Sequence, residues 1–259
     1  MKKITSIFIM VFISVNLFSQ TNMIIRKTDN SIWFAPTSDI DSVYYEVDLP
    51  NTVTDYDGNI YQTIIIGTQC WMAEDLKVIH YPNGDPIPNV TDNTAWVDLA
   101  DNNYADAYCF YNNDNTTDYG AIYTYAAAIA DNWQRDNSND QGVCPDGWHL
   151  PTNAEWITLT DYLGGINIAG GKMKEVDTTH WNSPNTGATN ESGFSALPGG
   201  FREESNGIFY NLGYYGIWGC ATDFSSDQTY YRILDKDNVK AEDYGATKSC
   251  GFYVRCVKN

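Results

Sequence analysis

Apolar positions in this chain fall into short runs separated by turn-forming residues, and only two stretches carry a helical period. The first twenty residues are different in kind. Lys2 and Lys3 precede an apolar run from Ile7 to Phe18, broken only by Ser14 and Asn16, and Ser19-Gln20 gives a polar exit. That order predicts a signal peptide over residues 1–20 and an exported protein. Residues 21–50 hold three runs, Met23-Ile24-Ile25, Ser31-Ile32-Trp33-Phe34 and Ser42-Val43-Tyr44-Tyr45-Glu46-Val47, and end at Leu49-Pro50. They predict a small N-terminal β segment with a boundary near residue 50.

A second unit opens with the turn Asp55-Tyr56-Asp57-Gly58-Asn59, a strand from Tyr61 to Ile66, a Gly67-Thr68 turn and Cys70-Trp71-Met72. Residues 81–88, with three prolines and a glycine, read as loop. Residues 101–118, with five Asn and four Asp, read as a solvated, turn-rich stretch. The spacing of Ile122, Ala126 and Ile129 predicts a helix from Tyr119 to Trp133. A second helix is marked by Thr152 as N-cap and Glu155 three residues on, a capping box that satisfies two orphan amide donors. Trp156, Leu159 and Leu163 form its buried stripe, and Gly164-Gly165 stops it. Beyond Gly165 short aromatic runs alternate with Gly, Asn, Ser and Asp, which predicts short strands and long loops with no third helix. Two helices followed by irregular β structure make an α+β domain.

Charge narrows the partners. With 33 acidic against 15 basic residues the net charge is −18, and no Lys/Arg cluster is available for phosphate. This excludes nucleic acid and disfavours anionic lipid. No stretch after the leader reaches the ~18 apolar residues of a membrane span. Six cysteines, Cys70, Cys109, Cys144, Cys220, Cys250 and Cys256, in an exported chain favour disulfides, but six allow fifteen complete pairings. No C-x-x-C occurs, and His80, His149 and His180 lack the spacing of a zinc site.

Several chemistries fail on inspection. H-E-x-x-H, G-x-S-x-G and G-x-G-x-x-G are missing. The run Gly165-Ile166-Asn167-Ile168-Ala169-Gly170-Gly171-Lys172 approaches a phosphate loop, but Gly171 stands where Lys is needed. Glu203-Glu204 could serve as a glycosidase carboxyl pair, yet nothing in the sequence fixes a working separation. Asn112 to Asp118 places oxygen ligands at alternate positions as calcium loops do, but the sixth position is Thr117 and the twelfth Tyr123. A hydrated Asx-rich loop is the simpler reading, with Ca²⁺ held there or on another acidic loop as the alternative.

The run Gly142-Val143-Cys144-Pro145-Asp146-Gly147-Trp148-His149-Leu150-Pro151-Thr152-Asn153-Ala154-Glu155-Trp156 is accompanied by Cys70-Trp71-Met72-Ala73-Glu74-Asp75-Leu76, by Trp181 to Phe194, by Ala196-Leu197-Pro198-Gly199-Gly200 and by Gly251-Phe252-Tyr253-Val254-Arg255-Cys256-Val257. In this order the five motifs closely resemble the Fibrobacter succinogenes major paralogous domain, over residues 51–259. That family occurs in exported proteins of Bacteroidetes and Fibrobacter. It looks in turn like a branch of the C-type-lectin-like fold shared with the formylglycine-generating enzyme. Leu150 to Trp156 is similar to that enzyme's L-P-T-x-A-E-W helix start. The resemblance implies a Cys144–Cys256 disulfide, and Cys250 is then the nearest spare partner for Cys220. The enzyme's copper-binding C-x₄-C pair is missing here, so the resemblance does not carry copper oxidase activity to this chain.

The expectation is a non-enzymatic recognition module, secreted or on the cell surface. Glycan is the first ligand class; the alternatives are a structural cell-envelope role and, against the missing C-x₄-C pair, a copper oxidase of formylglycine-generating type. Any ligand site is expected on the loops of residues 193–232, where Phe201, Arg202, Tyr210, Tyr214, Tyr215 and Trp218 lie beside Glu203, Asn206, Asn211 and Asp223. Trp148, Trp156 and His149 are expected to be structural.

Overall fold

The structure is a computed structural model and describes residues 22–26, 32–36, 51–99, 105–130 and 141–259. The chain divides into two compact units, residues 1–49 and 50–259. In the first, β1 (Asn22–Arg26) and β2 (Ile32–Pro36) pair antiparallel, with Ile24 opposite Phe34. The expected signal peptide over 1–20 and the strand expected at 42–47 lie outside the described residues.

The second unit is α+β and contains two principal sheets. One has five strands in the order β3 (Thr52–Thr54), β4 (Ile60–Ile66), β5 (Gln69–Met72), β15 (Val257–Lys258), β8 (Trp148–His149). The other has six in the order β13 (Ala241–Thr247), β12 (Gln228–Asp235), β11 (Tyr215–Asp223), β14 (Phe252–Tyr253), β7 (Ile122–Tyr123), β6 (Tyr108–Cys109). Within this sheet only β11 and β14 run parallel. A short hairpin, β9 (Phe201–Arg202) with β10 (Phe209–Tyr210), joins it through backbone bonds between Arg202 and Gly251.

Four α-helices occur among the described residues: α1 (Asn93–Asp98), α2 (Tyr125–Ile129), α3 (Asn153–Tyr162) and α4 (Ile166–Met173). α3 has the expected capping box, with Thr152 and Glu155 each bonding the other's backbone amide, and ends before Gly164-Gly165. The helix expected over 119–133 is much shorter. Ile122 pairs in the sheet with β6 and β14, and the described helix ends at Ile129, capped by Ala130 in the left-handed region. Sheet pairing has overridden the helical spacing there. A helix does follow Gly165, contrary to expectation. Gly170 and Gly171 lie inside α4 because chain presses on it: a Cβ on Gly170 would sit 2.0 Å from the Lys240 carbonyl oxygen, and one on Gly171 2.5 Å from that of Gly187.

α3 and α4 pack on the six-stranded sheet. Between them lies an aromatic core in which Trp71, Trp156, Phe194 and Trp218 have neighbouring ring centroids 4.7–6.3 Å apart. Each ring comes from a different segment: β5, α3, the loop before β9, and β11. Arg255 places its guanidinium 4.1 Å from the Phe194 ring centroid and donates from Nε to Asp75 at 2.7 Å. Asp75 also accepts from Trp218 Nε1 at 2.7 Å. The chain is stapled by a Cys144–Cys256 disulfide across 112 residues. No helix among the described residues is long and apolar enough to cross a membrane.

Candidate functional site

Alternation along the six-stranded sheet sorts its side chains onto two faces. On β11, Trp218 and Cys220 enter the main core, while Tyr215 and Ile217 take the opposite face. On β12, Leu234 is core and Tyr231 and Ile233 are outer. On β14, Tyr253 is core and Phe252 outer. The outer face thus gathers a second, smaller apolar cluster of Ile217, Cys250 and Phe252, with Phe201, Tyr215, Tyr231, Ile233 and Ala246 packed on it half-exposed.

Its rings form a continuous row. Tyr210 lies 6.0 Å from Phe201, Phe201 6.3 Å from Phe252, Phe252 5.1 Å from Tyr231, and Tyr231 6.1 Å from Tyr244. The two ends are the open positions, Tyr210 at 39% and Tyr244 at 48% exposure. The Asn206 amide donates to the Tyr210 hydroxyl at 3.0 Å and fixes one end. Gly200, at φ +68°, brings the β10 backbone in: a Cβ there would lie 2.1 Å from the Tyr210 carbonyl oxygen.

Beside this row stand Glu203, Glu204 and Cys250. Their ligand atoms lie within 4.8 Å of one another. Glu204 accepts from the Cys250 thiol at 2.7 Å and from Thr247 Oγ1 at 3.2 Å. Hydrogen bonding to Glu204, reinforced by burial, raises the Glu203 carboxyl to about 7, so the pair shares a proton at neutral pH. Burial and the two carboxylates push the Cys250 thiol well above its ordinary range. Two oxygens and a sulfur suit a borderline cation such as Zn²⁺ better than Ca²⁺, which takes oxygen ligands. Any such ion has to displace both the shared proton and the thiol proton.

Four of the six residues expected to bind ligand reach the surface. Phe201 and Tyr210 belong to the row, and Tyr215 packs against the same cluster. Tyr214 is 47% exposed, with Lys236 Nζ 5.2 Å from its ring centre. Arg202 and Trp218 are each 0% exposed and offer nothing to a ligand. Arg202 lies over Trp96 and Phe209 and donates to the carbonyls of Gly207, Val90 and Thr91 and to Asn93 Oδ1. Trp218 belongs to the aromatic core. Tyr231 falls inside the expected range 193–232 but not among its named residues, and Tyr244 and Phe252 fall beyond it, although alternation along β12 to β14 would have found them.

Cys220 and Cys250 are free, as are Cys70 and Cys109, and all four are buried. The possible Cys220–Cys250 pair is not bonded: Cys220 belongs to the main core and Cys250 to the outer-face cluster. His149 is structural: Nε2 meets Glu155 at 2.7 Å and Nδ1 meets Asn259 at 2.6 Å, tying the capping box to Asn259. In the Asn/Asp-rich loop, Asp114 Oδ1 accepts from the amide and hydroxyl of Thr116, an Asx turn that uses the loop's own donors.

A family model for the Fibrobacter succinogenes major domain matches residues 64–258, more than half of the chain. No curated protein and no solved structure matches it.

Proposed function

Because the chain belongs to the Fibrobacter succinogenes major domain family, we propose that it is an exported, non-enzymatic recognition module that binds glycan on the outer face of its six-stranded sheet. The observation that carries this reading is the row Tyr210–Phe201–Phe252–Tyr231–Tyr244 with Glu203 and Glu204 beside it. Apolar sugar faces pack on aromatic rings, and carboxyl groups and Asn206 accept or donate to hydroxyls. An outer sheet face ordinarily carries polar residues where it meets water, so a half-exposed aromatic row there calls for a partner. Of the family motifs only the closing one reaches the row, through Phe252, while Trp71, Trp156, Phe194 and Arg255 are spent on the core. Export is supported by Lys2-Lys3 with the following apolar run, and by a disulfide of the kind that persists in oxidising compartments. The arrangement of a mixed sheet, a second small sheet and two packed helices is read as C-type-lectin-like. A glycan array probed with the full chain, with and without chelator, tests the reading. Saturable binding to a defined glycan class supports it. Silence across the array favours a structural cell-envelope role, and loss of binding in chelator assigns the ligand to a metal.

A further inference from the structure

On a different part of the same unit, a cleft of about 200 Å³ opens between the 54–57 turn, the 78–82 segment and residues 143–146. Its lining includes Tyr56, Val78, His80, Pro82, Val143 and Asp146. The walls are held from behind. Cys144 is in the disulfide, and the amide of Trp148 closes a turn onto the Pro145 carbonyl. Opposite, Asp57 accepts from the Ile79 amide at 2.6 Å through Oδ2 and binds His80 Nδ1 at 2.5 Å through Oδ1.

The Asp57 carboxylate holds Nδ1 and so fixes the orientation of the ring. Among the described residues Nε2 makes no hydrogen bond. Asp146 uses Oδ1 to accept from Gln141 Nε2 at 3.1 Å and leaves Oδ2 open. Asp55 is already saturated by Asn59 and Tyr61, yet it adds negative charge. No Lys or Arg among the described residues lines the cleft. The open carboxylate oxygen of Asp146 therefore stands in a negative field, between apolar walls of Tyr56, Val78, Pro82 and Val143. An anion is repelled. A volume of 200 Å³ is below the roughly 300 Å³ at which pockets for drug-sized ligands begin, so the occupant is one side chain and not an extended glycan.

We propose that this cleft receives a basic side chain, arginine or lysine, from a peptide segment of a partner protein. The apolar stem lies against Tyr56 and Pro82, and the cationic head donates to Asp146 Oδ2. Tyr56, 58% exposed, also offers its ring face to the cation. This goes beyond glycan recognition and uses none of the residues of the aromatic row.

The test is an NMR titration of the full chain with three capped tripeptides, acetyl-Gly-Xaa-Gly-amide, where Xaa is arginine, lysine or citrulline. Citrulline keeps the shape of arginine and removes the charge. Saturable shifts centred on Tyr56, His80 and Asp146 are expected with the two basic peptides, and an affinity at least tenfold weaker with citrulline. Asp146→Asn should weaken the basic peptides tenfold or more, and because Asp146 is exposed its fold is retained. Asp161→Asn, an exposed acid on α3, should change nothing, which separates the cleft from general attraction to an acidic protein. Tyr210→Ala/Tyr244→Ala should also leave peptide binding intact, so the glycan reading can fail without touching this one. Equal binding of citrulline, shifts spread over the acidic surface, or full affinity in Asp146→Asn would overturn the proposal.

Discussion

Replacing Asp75 by asparagine should cost this domain far more than a single hydrogen bond. Asp75 and Arg255 are 3% and 1% exposed at their side chains and form an ion pair inside the core. The carboxamide oxygen of the replacement can still accept from Trp218, so the change isolates the charge. It leaves the Arg255 guanidinium buried over Phe194, bonded to the Phe194 carbonyl, with only the exposed Glu74 carboxylate acting on its charge. Breaking one side of a buried pair costs about 3–5 kcal/mol. At about 2–4 °C per kcal/mol for a domain of this size, Tm should fall by about 6–20 °C. Calorimetry and urea unfolding of Asp75→Asn, Arg255→Met and the double variant measure it. The double variant should be markedly less destabilised than the sum of the singles, because it removes the orphaned charge. A loss below about 1 kcal/mol in Asp75→Asn, or additive singles, would refute the idea that this pair locks the Cys70–Leu76 motif to the closing strand.

Reduction of the Cys144–Cys256 bridge, or its replacement by two alanines, should lower stability by on the order of 4–5 kcal/mol in the chain-entropy model for a loop of 112 residues, read as a drop in Tm with dithiothreitol. His180 is pulled down by burial, but its bonds to Glu175 and Asp118 outweigh this and raise its pKa. Its contribution is therefore full below the unfolded value of about 6.5 and is lost as pH rises through the folded one; His180→Gln should flatten that part of a urea-midpoint profile. Glu203, raised to about 7, keeps its proton in the folded state after the unfolded chain has lost it near about 4.3, so stability should decline between those values and Glu203→Gln should abolish the decline. Gly170→Ala should destabilise by more than about 2 kcal/mol despite the better helix propensity of alanine, because its Cβ meets the Lys240 carbonyl; thermal melts decide it.

What could be read from the sequence was what local chemistry decides. The capping box at Thr152 and Glu155 and the stripe of Trp156, Leu159 and Leu163 mark α3 without reference to anything distant. α4 was hidden because its two glycines argue against a helix unless the chain that presses on them is known. α1 is six residues long and carries one signal, Asp92 accepting from the Ala95 amide, which a turn would share. Ile122 obeys a helical period by coincidence, and its partner in β14, Tyr253, lies far along the chain. The site was half legible for the same reason. Aromatic residues near 201–218 were evident, but which of them face outward depends on register. Tyr215 and Ile217 take the outer face while Trp218 does not, and Arg202 is drawn inward by Trp96 and four backbone and side-chain acceptors that no spacing reveals.

Calorimetric titration of an array-selected oligosaccharide into Tyr210→Ala/Tyr244→Ala decides whether the outer aromatic row is the proposed glycan-binding face. Both rings are exposed, so removing them should leave Tm within about 2 °C of the parent. Two lost aromatic contacts at about 0.5–1.5 kcal/mol each should weaken binding by about 5- to 150-fold. Undiminished affinity in a variant with an unchanged melting temperature would contradict the assignment of the row as the binding face.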